Sequence, residues 1–315
     1  MKFVSGEEIL ESVSFPELIA ALKVAFADAS IEAPLRHHHT YPNPRAGADS
    51  TLLLMPAWTP GESLGVKLVT VSPKNDRFGI PSIQGVYVLF DARNGVPKLL
   101  LDAKALTSVR TAATSALAST FLSRPDSSVL FMIGTGALAP QLIRAHAAVR
   151  PIDVVYVWGR DRAKAGRLAE MLNAQNFTVA PVETIGEGIA KADIISCATL
   201  STDPLISGDT LSRGQHIDLV GSFRPDMREA DDSTVTRCSV FVDHYEGALT
   251  ETGDIVMPIE RGVISKADLR AELAELCRGA HAGRASDDEI TLFKSVGHAL
   301  EDLVAASLFE ANAAA

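Results

Sequence analysis

The chain has 315 residues, and its 29 lysines and arginines against 39 aspartates and glutamates give a formal net charge of −10. Because 47% of the residues are hydrophobic and 22% are charged, and because a single core rarely grows to this length, we expect a globular protein of two domains. The negative charge argues against nucleic acid or an anionic membrane as the main partner, and no apolar run reaches the length of a membrane span.

The first hundred residues change from a helical pattern to a strand pattern. Apolar residues at helical spacing within residues 15–30 predict an amphipathic helix. From about residue 51 to 101 the chain reads as antiparallel strands, and Asn94-Gly95 predicts a tight hairpin in which both turn residues have positive φ. The small and apolar residues of segment 105–123 then predict a helix packed on most sides.

From residue 129 onward, strand and helix patterns alternate. Such alternation is typical of a parallel, doubly wound sheet, so we predict an α/β fold with a Rossmann-type domain inserted in a second, α+β domain. We expect residues 119–291 to form the Rossmann-type domain and residues 1–118 with 292–315 to form the second domain. Residues 288–311, DEITLFKSVGHALEDLVAASLFEA, are predicted to form a final amphipathic helix.

A glycine-rich turn follows the first strand of this alternation, in VLFMIGTGALAP. Gly134 suits a tight turn, Gly136 would let the backbone approach a pyrophosphate, and Ala139 is an accepted substitute for a third glycine. The strand before the turn and the helix predicted from Ala137 are the context of a dinucleotide-binding fold, whereas a glycine turn without a ligand is the alternative. The predicted cofactor contacts in this turn are Gly134, Thr135, Gly136, Ala137, Leu138 and Ala139.

The end of the second strand, WGRDR, discriminates between the two nicotinamide cofactors. An NAD site usually has an acidic residue here for the ribose 2′-hydroxyl, whereas this chain has Arg160, followed by Arg162. Because a guanidinium suits a 2′-phosphate, we predict that NADP(H) is preferred and NAD(H) is the second choice. The predicted contacts are Gly159, Arg160 and Arg162. The alternative is that Asp161 caps the next helix and both arginines are solvated.

Two lone charges stand in apolar segments. Arg110 is the single charged residue of segment 105–123, and a buried guanidinium needs an anion, either on a ligand or on an internal acid. Lys67 is the single charge of LGVKLVTV, with apolar neighbours on its own face of the strand. Burial would lower the pKa of its ammonium group and allow proton exchange near neutral pH. The alternative is an edge-strand lysine that discourages aggregation.

Arg36 precedes three consecutive histidines, His37, His38 and His39, in APLRHHHTYP. On an extended chain these histidines point to alternate faces, so at most two could share a ligand. Because no carboxylate or cysteine stands at ligand spacing, we predict no metal site and interpret the segment as a polar loop.

The cysteines and the N-terminus indicate the compartment. Cys197, Cys238 and Cys277 are widely spaced and form no CxxC pair, which is typical of reduced thiols. Acidic residues stand early in the chain, where a signal peptide would be apolar. We therefore expect a cytoplasmic protein.

With these residues in hand, the chain resembles the ornithine cyclodeaminase/mu-crystallin family almost from end to end. The resemblance is carried by LGVKLVTVSPKN, GIPSIQGVYVLFDARNGVP, LTSVRTAATSALAS, IGTGALAPQLIRAH, VGSFRPDMREAD and LFKSVGHALEDL, and the block from Lys67 to Ala118 is specific. It implies a homodimer in which the N-terminal sheet and the final helix form a substrate-binding and dimerisation domain, with an NAD(P)-binding Rossmann domain inserted between them.

The resemblance also implies roles for individual residues. Arg36 and Arg110 match positions that hold a substrate carboxylate, and Lys67 matches the position beside the reacting C–N bond. Ser82, in GIPS, matches a position near the substrate. The residues matching segments that line the nicotinamide are Ala198, Thr199, Val220 and Ser222.

One position departs from the cyclodeaminase pattern. Those enzymes have an aspartate after the strand that reads HIDLVG here, and the alignment places Phe223 at that position. The nearby acid is Asp226, as in ketimine and pyrroline-2-carboxylate reductases of the family. We therefore predict an NAD(P)H-dependent reductase of small cyclic 2-imino acids such as Δ1-pyrroline-2-carboxylate. The predicted catalytic residues are Lys67, Arg36, Arg110 and, as an auxiliary acid, Asp226.

Three other functions stay open on the sequence alone. They are ornithine cyclodeamination, which yields proline and ammonia, an alanine or opine-type amino-acid dehydrogenase, and a protein that binds NADP(H) and a small ligand without turnover. The presence of a lysine and two arginines at the matched positions favours an enzyme over the binding protein.

Overall fold

The computed structural model describes residues 1–173 and 175–314. The strands are β1 (Lys2–Val4), β2 (His37–Tyr41), β3 (Ser50–Thr59), β4 (Ser63–Val71), β5 (Ile83–Asp91), β6 (Pro97–Asp102), β7 (Val129–Ile133), β8 (Val154–Trp158), β9 (Thr178–Pro181), β10 (Ile194–Cys197), β11 (His216–Leu219), β12 (Ser239–Val242), β13 (Leu269–Glu272) and β14 (Thr291–Lys294). The helices are α1 (Gly6–Ser12), α2 (Phe15–Ala27), α3 (Ala103–Leu122), α4 (Ala139–Val149), α5 (Arg162–Leu172), α6 (Ile185–Lys191), α7 (Asp232–Arg237), α8 (Tyr245–Glu251), α9 (Gly253–Glu260), α10 (Leu273–Arg278) and α11 (Ala299–Ala314).

The chain divides into two compact units. Unit 1 contains residues 1–110 and the residues from 298 onward, and unit 2 contains residues 111–297. The sequence pattern placed the divisions at 118/119 and 291/292 instead. The second division differs because β14 pairs with β11 and β12 and so belongs to the sheet of unit 2. The structure confirms the predicted α/β class with a second, mixed-sheet domain.

Unit 1 is built on a six-stranded sheet in the order β1-β6-β5-β4-β3-β2. β1 pairs parallel with β6, and the remaining neighbours pair antiparallel. The register aligns Met55, Lys67, Tyr87 and Leu101 in one row across four strands, and all four side chains are buried. Because α11 packs on β3, β4 and β5, this row lies under the last helix of the chain.

The turn between β5 and β6 differs from the predicted two-residue hairpin. Only glycines have positive φ among the described residues, so Gly95 has φ +72° and Asn94 does not share this conformation. The connection is a longer loop held by Asp91, whose backbone carbonyl accepts hydrogen bonds from the N–H groups of Asn94 (3.4 Å) and Gly95 (2.8 Å). The loop therefore needs one positive-φ residue where a two-residue turn would need two.

Unit 2 is built on an eight-stranded sheet in the order β13-β12-β14-β11-β10-β7-β8-β9. All of its neighbouring strands pair parallel. The chain runs outward from β7 through β8 to β9, returns to β10 on the other side of β7, and continues to β11. This reversal between β7 and β10 is the topological switch point at which doubly wound sheets bind their ligands.

The last segment corrects one prediction. Residues 288–311 were expected to form one helix, but residues 291–294 form β14 and the helix begins at Ala299. Gly297 separates the two with φ +89°, a conformation that an L side chain rarely adopts. The short apolar run before Lys294 fits a buried parallel strand, which periodicity alone does not distinguish from a buried helix.

Candidate active site

Lys67 lies in the buried row beneath the last helix. Its side chain is 4% exposed, and its Nζ lies 2.7 Å from Oδ2 of Asp302, which is on α11 and fully buried. Nζ also donates a hydrogen bond to the hydroxyl of Thr107 on α3, at 3.4 Å. The strand thus carries the ammonium group inward, and the helix supplies the compensating charge that burial requires.

Arg110 has internal acids as partners. Its Nη1 lies 2.5 Å from Oε2 of Glu301, and its Nε donates to Oδ1 of Asp302 at 3.1 Å. Both acids stand in the first turn of α11, so one guanidinium binds two successive residues of the helix. The sequence left a ligand or an internal acid as the partner of Arg110, and the structure contains internal acids. Asp302 bridges Arg110 to Lys67 in one buried cluster.

The electrostatics of the cluster set the protonation of the lysine. Burial lowers the pKa of Lys67 to about 8, Asp302 opposes this shift, and Arg110 adds to it. Burial disfavours ionisation of Asp302 as well, but Arg110 and Lys67 outweigh it and hold the pKa of Asp302 below its ordinary value. The cluster therefore keeps an ionised carboxylate beside an amine that can give or take a proton near physiological pH.

Tyr87 faces Lys67 from the neighbouring strand. It is fully buried, and burial, together with the charge of Asp302, raises its pKa well above the ordinary value, so the phenol stays protonated. A Cβ placed on Gly65 would lie 1.8 Å from the hydroxyl of Tyr87. Gly65 is thus required to make room for this ring beside Lys67.

Two other predicted substrate residues belong to unit 1. Arg36 is half-buried just before β2, and its charge contributes to lowering the pKa of Lys67, which places it within electrostatic reach of the cluster. Ser82 is half-buried just before β5, where its carbonyl accepts a hydrogen bond from the N–H of Ser72 at 2.8 Å. The structure thus brings Lys67 and Arg110 together through Asp302, and the charge of Arg36 also acts on Lys67.

The three histidines form an edge strand rather than a loop. They make up most of β2, are exposed, and pair with β3. The rings of His37 and His39 lie on one side of the strand with centroids 6.3 Å apart, as the alternation of an extended chain predicts. In residues 1–173 and 175–314, no group of three or more histidine, cysteine or acidic side chains is arranged to hold a metal ion.

The glycine turn of unit 2 is shaped for close approach. Gly134 has φ +117°, and a Cβ at this position would lie 2.5 Å from the carbonyl oxygen of Ala198. A Cβ at Gly136 would meet no atom within 4 Å, so the turn is open to solvent there. α4 begins at Ala139 rather than at Ala137, and Ala139 is buried. The exposed residues Gly136 and Ala137, directly before the start of α4, fit the pyrophosphate of a dinucleotide.

Of the residues after β8, Asp161 caps the next helix, whereas Arg160 and Arg162 are exposed. Asp161 accepts a hydrogen bond from the N–H of Lys164 at 3.2 Å and caps α5, as the alternative interpretation held. Arg162 is exposed and forms an ion pair with Glu183. Arg160 is exposed at the end of β8. Gly159 packs against Thr135, whose Cγ2 would lie 2.7 Å from a Cβ on this glycine.

The segments after β10 and β11 are held by an acid that the sequence did not reveal. Glu229 is fully buried and accepts hydrogen bonds from the N–H and the hydroxyl of Thr199, at 2.7 and 2.8 Å, and from the N–H of Gly221, at 2.7 Å. Burial raises the pKa of Glu229 to about 7, Lys294 opposes the shift, and Asp254 adds to it. Glu229, Asp254 and Lys294 are all fully buried, but no pattern in the sequence distinguishes them from ordinary polar residues.

The other predicted residues of these segments are engaged within unit 2. Ala198 is half-buried against Gly134, and Val220 is buried with its N–H bonded to the carbonyl of Cys197 at 2.8 Å. The hydroxyl of Ser222 donates to the carbonyl of Met227 at 2.8 Å. Ala198 is thus the most accessible of the three, whereas Val220 and Ser222 are buried in the segment after β11.

Asp226 is exposed on a loop of unit 2. Both of its oxygens accept hydrogen bonds from Arg224, from Nε and Nη2, each at 2.9 Å. One guanidinium group therefore occupies both carboxylate oxygens of Asp226. Phe223, at the position of the cyclodeaminase aspartate, is half-buried beside it.

The strand order and glycine turn of unit 2 are those of dinucleotide-binding α/β proteins, and unit 1 adds a buried lysine–arginine–acid cluster. These features define a two-domain α/β protein of the dinucleotide-binding class. In residues 1–173 and 175–314, no helix is long and apolar enough to cross a membrane.

The comparison with protein families specifies the class. The model of the ornithine cyclodeaminase/mu-crystallin family matches residues 2–315, and the chain belongs to this family. It is 38% identical to a Δ1-pyrroline-2-carboxylate reductase of Colwellia psychrerythraea over 97% of each chain.

Two solved structures share the fold. One is the Δ1-pyrroline-2-carboxylate reductase of Thermococcus litoralis in complex with NADH and L-proline, with a TM-score of 0.92, 33% identity, and coverage of 100% of this chain and 98% of that one. The other is an archaeal alanine dehydrogenase dimer with bound NAD, with a TM-score of 0.90, 27% identity, and coverage of 99% and 95%.

Proposed function

We propose that the protein is an NAD(P)H-dependent reductase that converts small cyclic 2-imino acids, such as Δ1-pyrroline-2-carboxylate, into the amino acid. The observation that carries this proposal is the buried ammonium of Lys67, which lies 2.7 Å from Asp302 and has a pKa of about 8. Reduction of an imine consumes a hydride and a proton, and this lysine is a proton donor matched to neutral pH. The names of the related reductases support the choice of substrate.

In this proposal the chain's own residues hold and protonate the imine. The glycine turn of unit 2 would hold the nicotinamide cofactor, which would supply the hydride. Lys67 donates a proton toward the imine nitrogen, directly or through water, and Asp302 keeps the ammonium group oriented. Such general-acid assistance contributes roughly 10²–10⁴-fold to a rate.

We propose different roles for Arg36 and Arg110 in binding the substrate carboxylate. Arg110 already binds Glu301 and Asp302, so its first role is to neutralise these buried acids. We assign the main contact with the substrate carboxylate to Arg36, with Arg110 adding to the positive field around it. Ser82 stays a proposed substrate neighbour, and Asp226 has the weakest support because Arg224 occupies both of its oxygens.

For the cofactor, Arg160 supports a preference for NADP(H). It stands exposed at the end of β8, where NAD-specific folds place an acid, and a guanidinium there can bind a 2′-phosphate. Arg162 has less support for this contact because it pairs with Glu183. The related structures contain NADH and NAD, so NAD(H) stays the competing cofactor.

We also propose a homodimer formed through the outer face of the unit 1 sheet. The face opposite Lys67 is apolar and half-buried in the single chain, which is typical of an association surface, and the related alanine dehydrogenase is a dimer. The side chains of this face are Leu52, Leu54, Pro56, Leu64, Val66, Leu68, Val86, Val88, Phe90 and Leu100. Sedimentation of Val66→Glu, with the exposed Val24→Glu as control, tests it: only the first should yield monomers.

A panel of substrates tests the proposed reaction. The enzyme is mixed with NADPH or NADH and with pyrroline-2-carboxylate, piperideine-2-carboxylate or pyruvate plus an amine, and loss of cofactor absorbance is followed. L-Ornithine is assayed separately for ammonia release. Cofactor oxidation with the cyclic imines and no ammonia from ornithine supports the proposal. Ammonia release without imine reduction would instead indicate a cyclodeaminase, and pyruvate-dependent turnover alone would indicate an alanine or opine-type dehydrogenase.

A further inference from the structure

The fully buried carboxylate of Glu229 joins two separate segments of unit 2. One oxygen accepts two hydrogen bonds from Thr199, directly after β10, and the other accepts one from the N–H of Gly221, directly after β11. A Cβ on Gly221 would lie 2.0 Å from the carbonyl oxygen of Thr199 and 2.4 Å from Oε1 of Glu229. The two segments are therefore packed around this acid with no space for a side chain at Gly221.

These two segments stand where a doubly wound sheet binds its ligand. In such sheets the ligand occupies the crevice outside the carboxyl ends of the strands at the switch point, here between β7 and β10. By this rule the glycine turn would hold the phosphates of a dinucleotide, with one half over the β7–β9 side and the other half over β10 and β11. The segment after β10 also contacts the turn itself, because Ala198 O lies 2.5 Å from a Cβ placed on Gly134.

Two further buried charges hold Glu229 in place. Asp254, near the start of α9, accepts hydrogen bonds from the backbone N–H of Glu229 at 2.7 Å and of Ala230 at 3.1 Å. Lys294, at the end of β14, places its Nζ 3.3 Å from Oδ2 of Asp254. All three side chains are fully buried. Burying three ionisable side chains is expensive, and an apolar core would avoid that cost, so the network serves more than packing.

We propose that Glu229 is a positioning residue that fixes the segments after β10 and β11 in the geometry that binds the nicotinamide half of the cofactor. This inference rests on the cofactor part of the proposed function. Glu229 needs no contact with the cofactor, because it acts through the backbone of Thr199 and Gly221. Its effect should therefore be confined to the nicotinamide half, leaving the adenosine half at the glycine turn unaffected.

Glu229→Gln tests this separation. The substitution keeps the shape of the side chain but replaces one acceptor oxygen with an N–H donor that faces the donors of Thr199 or Gly221. We expect the affinity for NADH to fall about tenfold while the affinity for ADP-ribose, which lacks nicotinamide, changes by less than about twofold. For NADPH the matched fragment is 2′-phospho-ADP-ribose. Glu170→Gln, an exposed acid on α5, is the control and should change neither affinity.

The outcomes separate the inference from the proposed function. Equal weakening of the whole cofactor and its fragment, or no change in either, would overturn the positioning role. Failure of the wild-type protein to bind NADH and NADPH would overturn the cofactor proposal itself. Thr199→Val removes one of the three hydrogen bonds and keeps the test available if Glu229→Gln does not fold. It should weaken NADH binding by about threefold with the ADP-ribose affinity unchanged, and parallel losses would contradict the inference.

Discussion

Lys67 Nζ, on the fourth strand, and Asp302 Oδ2, on the last helix, lie 2.7 Å apart, and both side chains are buried. Without its partner the ammonium would be a strongly destabilised charge. With it, the balance of burial and attraction leaves the pKa of Lys67 at about 8. This contact thus offsets the cost of burying the ammonium group and leaves Lys67 able to donate a proton near neutral pH.

The pH dependence of the reaction follows from that balance. Reduction needs protonated Lys67, so kcat/KM in the reductive direction should be constant at low pH and fall as pH rises through about 8. Oxidation of the amino acid needs the neutral amine, so that rate should rise through the same pH. Initial rates in both directions between neutral and alkaline pH check this. A reductive rate that rises through pH 8 would contradict the role of Lys67.

Asp302→Asn should move that transition to lower pH. Asp302 raises the pKa of Lys67 against the effect of burial, so removing its charge lowers the pKa further and deprotonates the lysine earlier. The reductive rate should therefore be depressed at neutral pH and recover under mildly acidic conditions. Glu310, a half-buried acid of the same helix that pairs with Lys98, supplies the matched control, and Glu310→Gln should leave the pH profile unchanged. A profile for Asp302→Asn identical to that of the wild type would contradict the coupling.

Lys67→Ala should remove the proton donor and spare cofactor binding. We expect kcat to fall by roughly 10²–10⁴-fold, the usual contribution of general-acid catalysis. NADPH affinity, measured by fluorescence, should be unchanged because the glycine turn belongs to unit 2. Lys104→Ala, an exposed lysine at the start of α3, should keep full activity. Unchanged turnover in Lys67→Ala would show that the lysine is not the acid.

Arg110→Ala should act mainly on stability. Removing the guanidinium leaves Glu301 and Asp302 buried without their partner, which costs about 3–5 kcal/mol in the free energy of unfolding. Urea denaturation measures this loss, and the exposed Arg213→Ala should change the midpoint little. A variant as stable as the wild type but with a greatly raised KM would instead assign Arg110 to the substrate carboxylate.

Arg160→Ala tests the cofactor preference. If Arg160 binds a 2′-phosphate, NADPH affinity should fall about tenfold or more, as expected for hydrogen bonds to a charged group, while NADH affinity changes little. Arg162→Ala should have a smaller effect because Glu183 already neutralises Arg162. Equal effects of Arg160→Ala on both cofactors would remove the basis for an NADP(H) preference.

Much of the fold could be predicted because its signals are local. Alternating strands and helices predicted the parallel sheet of unit 2, and Lys67 and Arg110 attracted attention as lone charges in apolar segments. The final segment was misassigned because a four-residue buried strand and a buried helix have the same apolar composition. The hairpin was misassigned because Asp91 stabilises a longer loop at the site of the Asn94-Gly95 signal.

The partners of the charged residues could not be predicted in the same way. Asp302 and Glu301 are about 190 positions from Arg110 along the chain, and only the packing of α11 on the sheet brings them together. Glu229 stands in a loop of mixed polarity, so no pattern marks it as buried. Two acids in succession within the otherwise small and apolar first turns of α11 are the signal that could have pointed to the first pair.

Transfer of hydride to the carbon that bears the carboxylate tests the account most directly. The enzyme is incubated with Δ1-pyrroline-2-carboxylate and a nicotinamide cofactor that carries deuterium at both C4 positions, and the product is examined by mass spectrometry and NMR. We expect proline with a single deuterium at Cα, formed in step with cofactor oxidation. Proline without deuterium, or an unchanged cofactor and no proline, would contradict it.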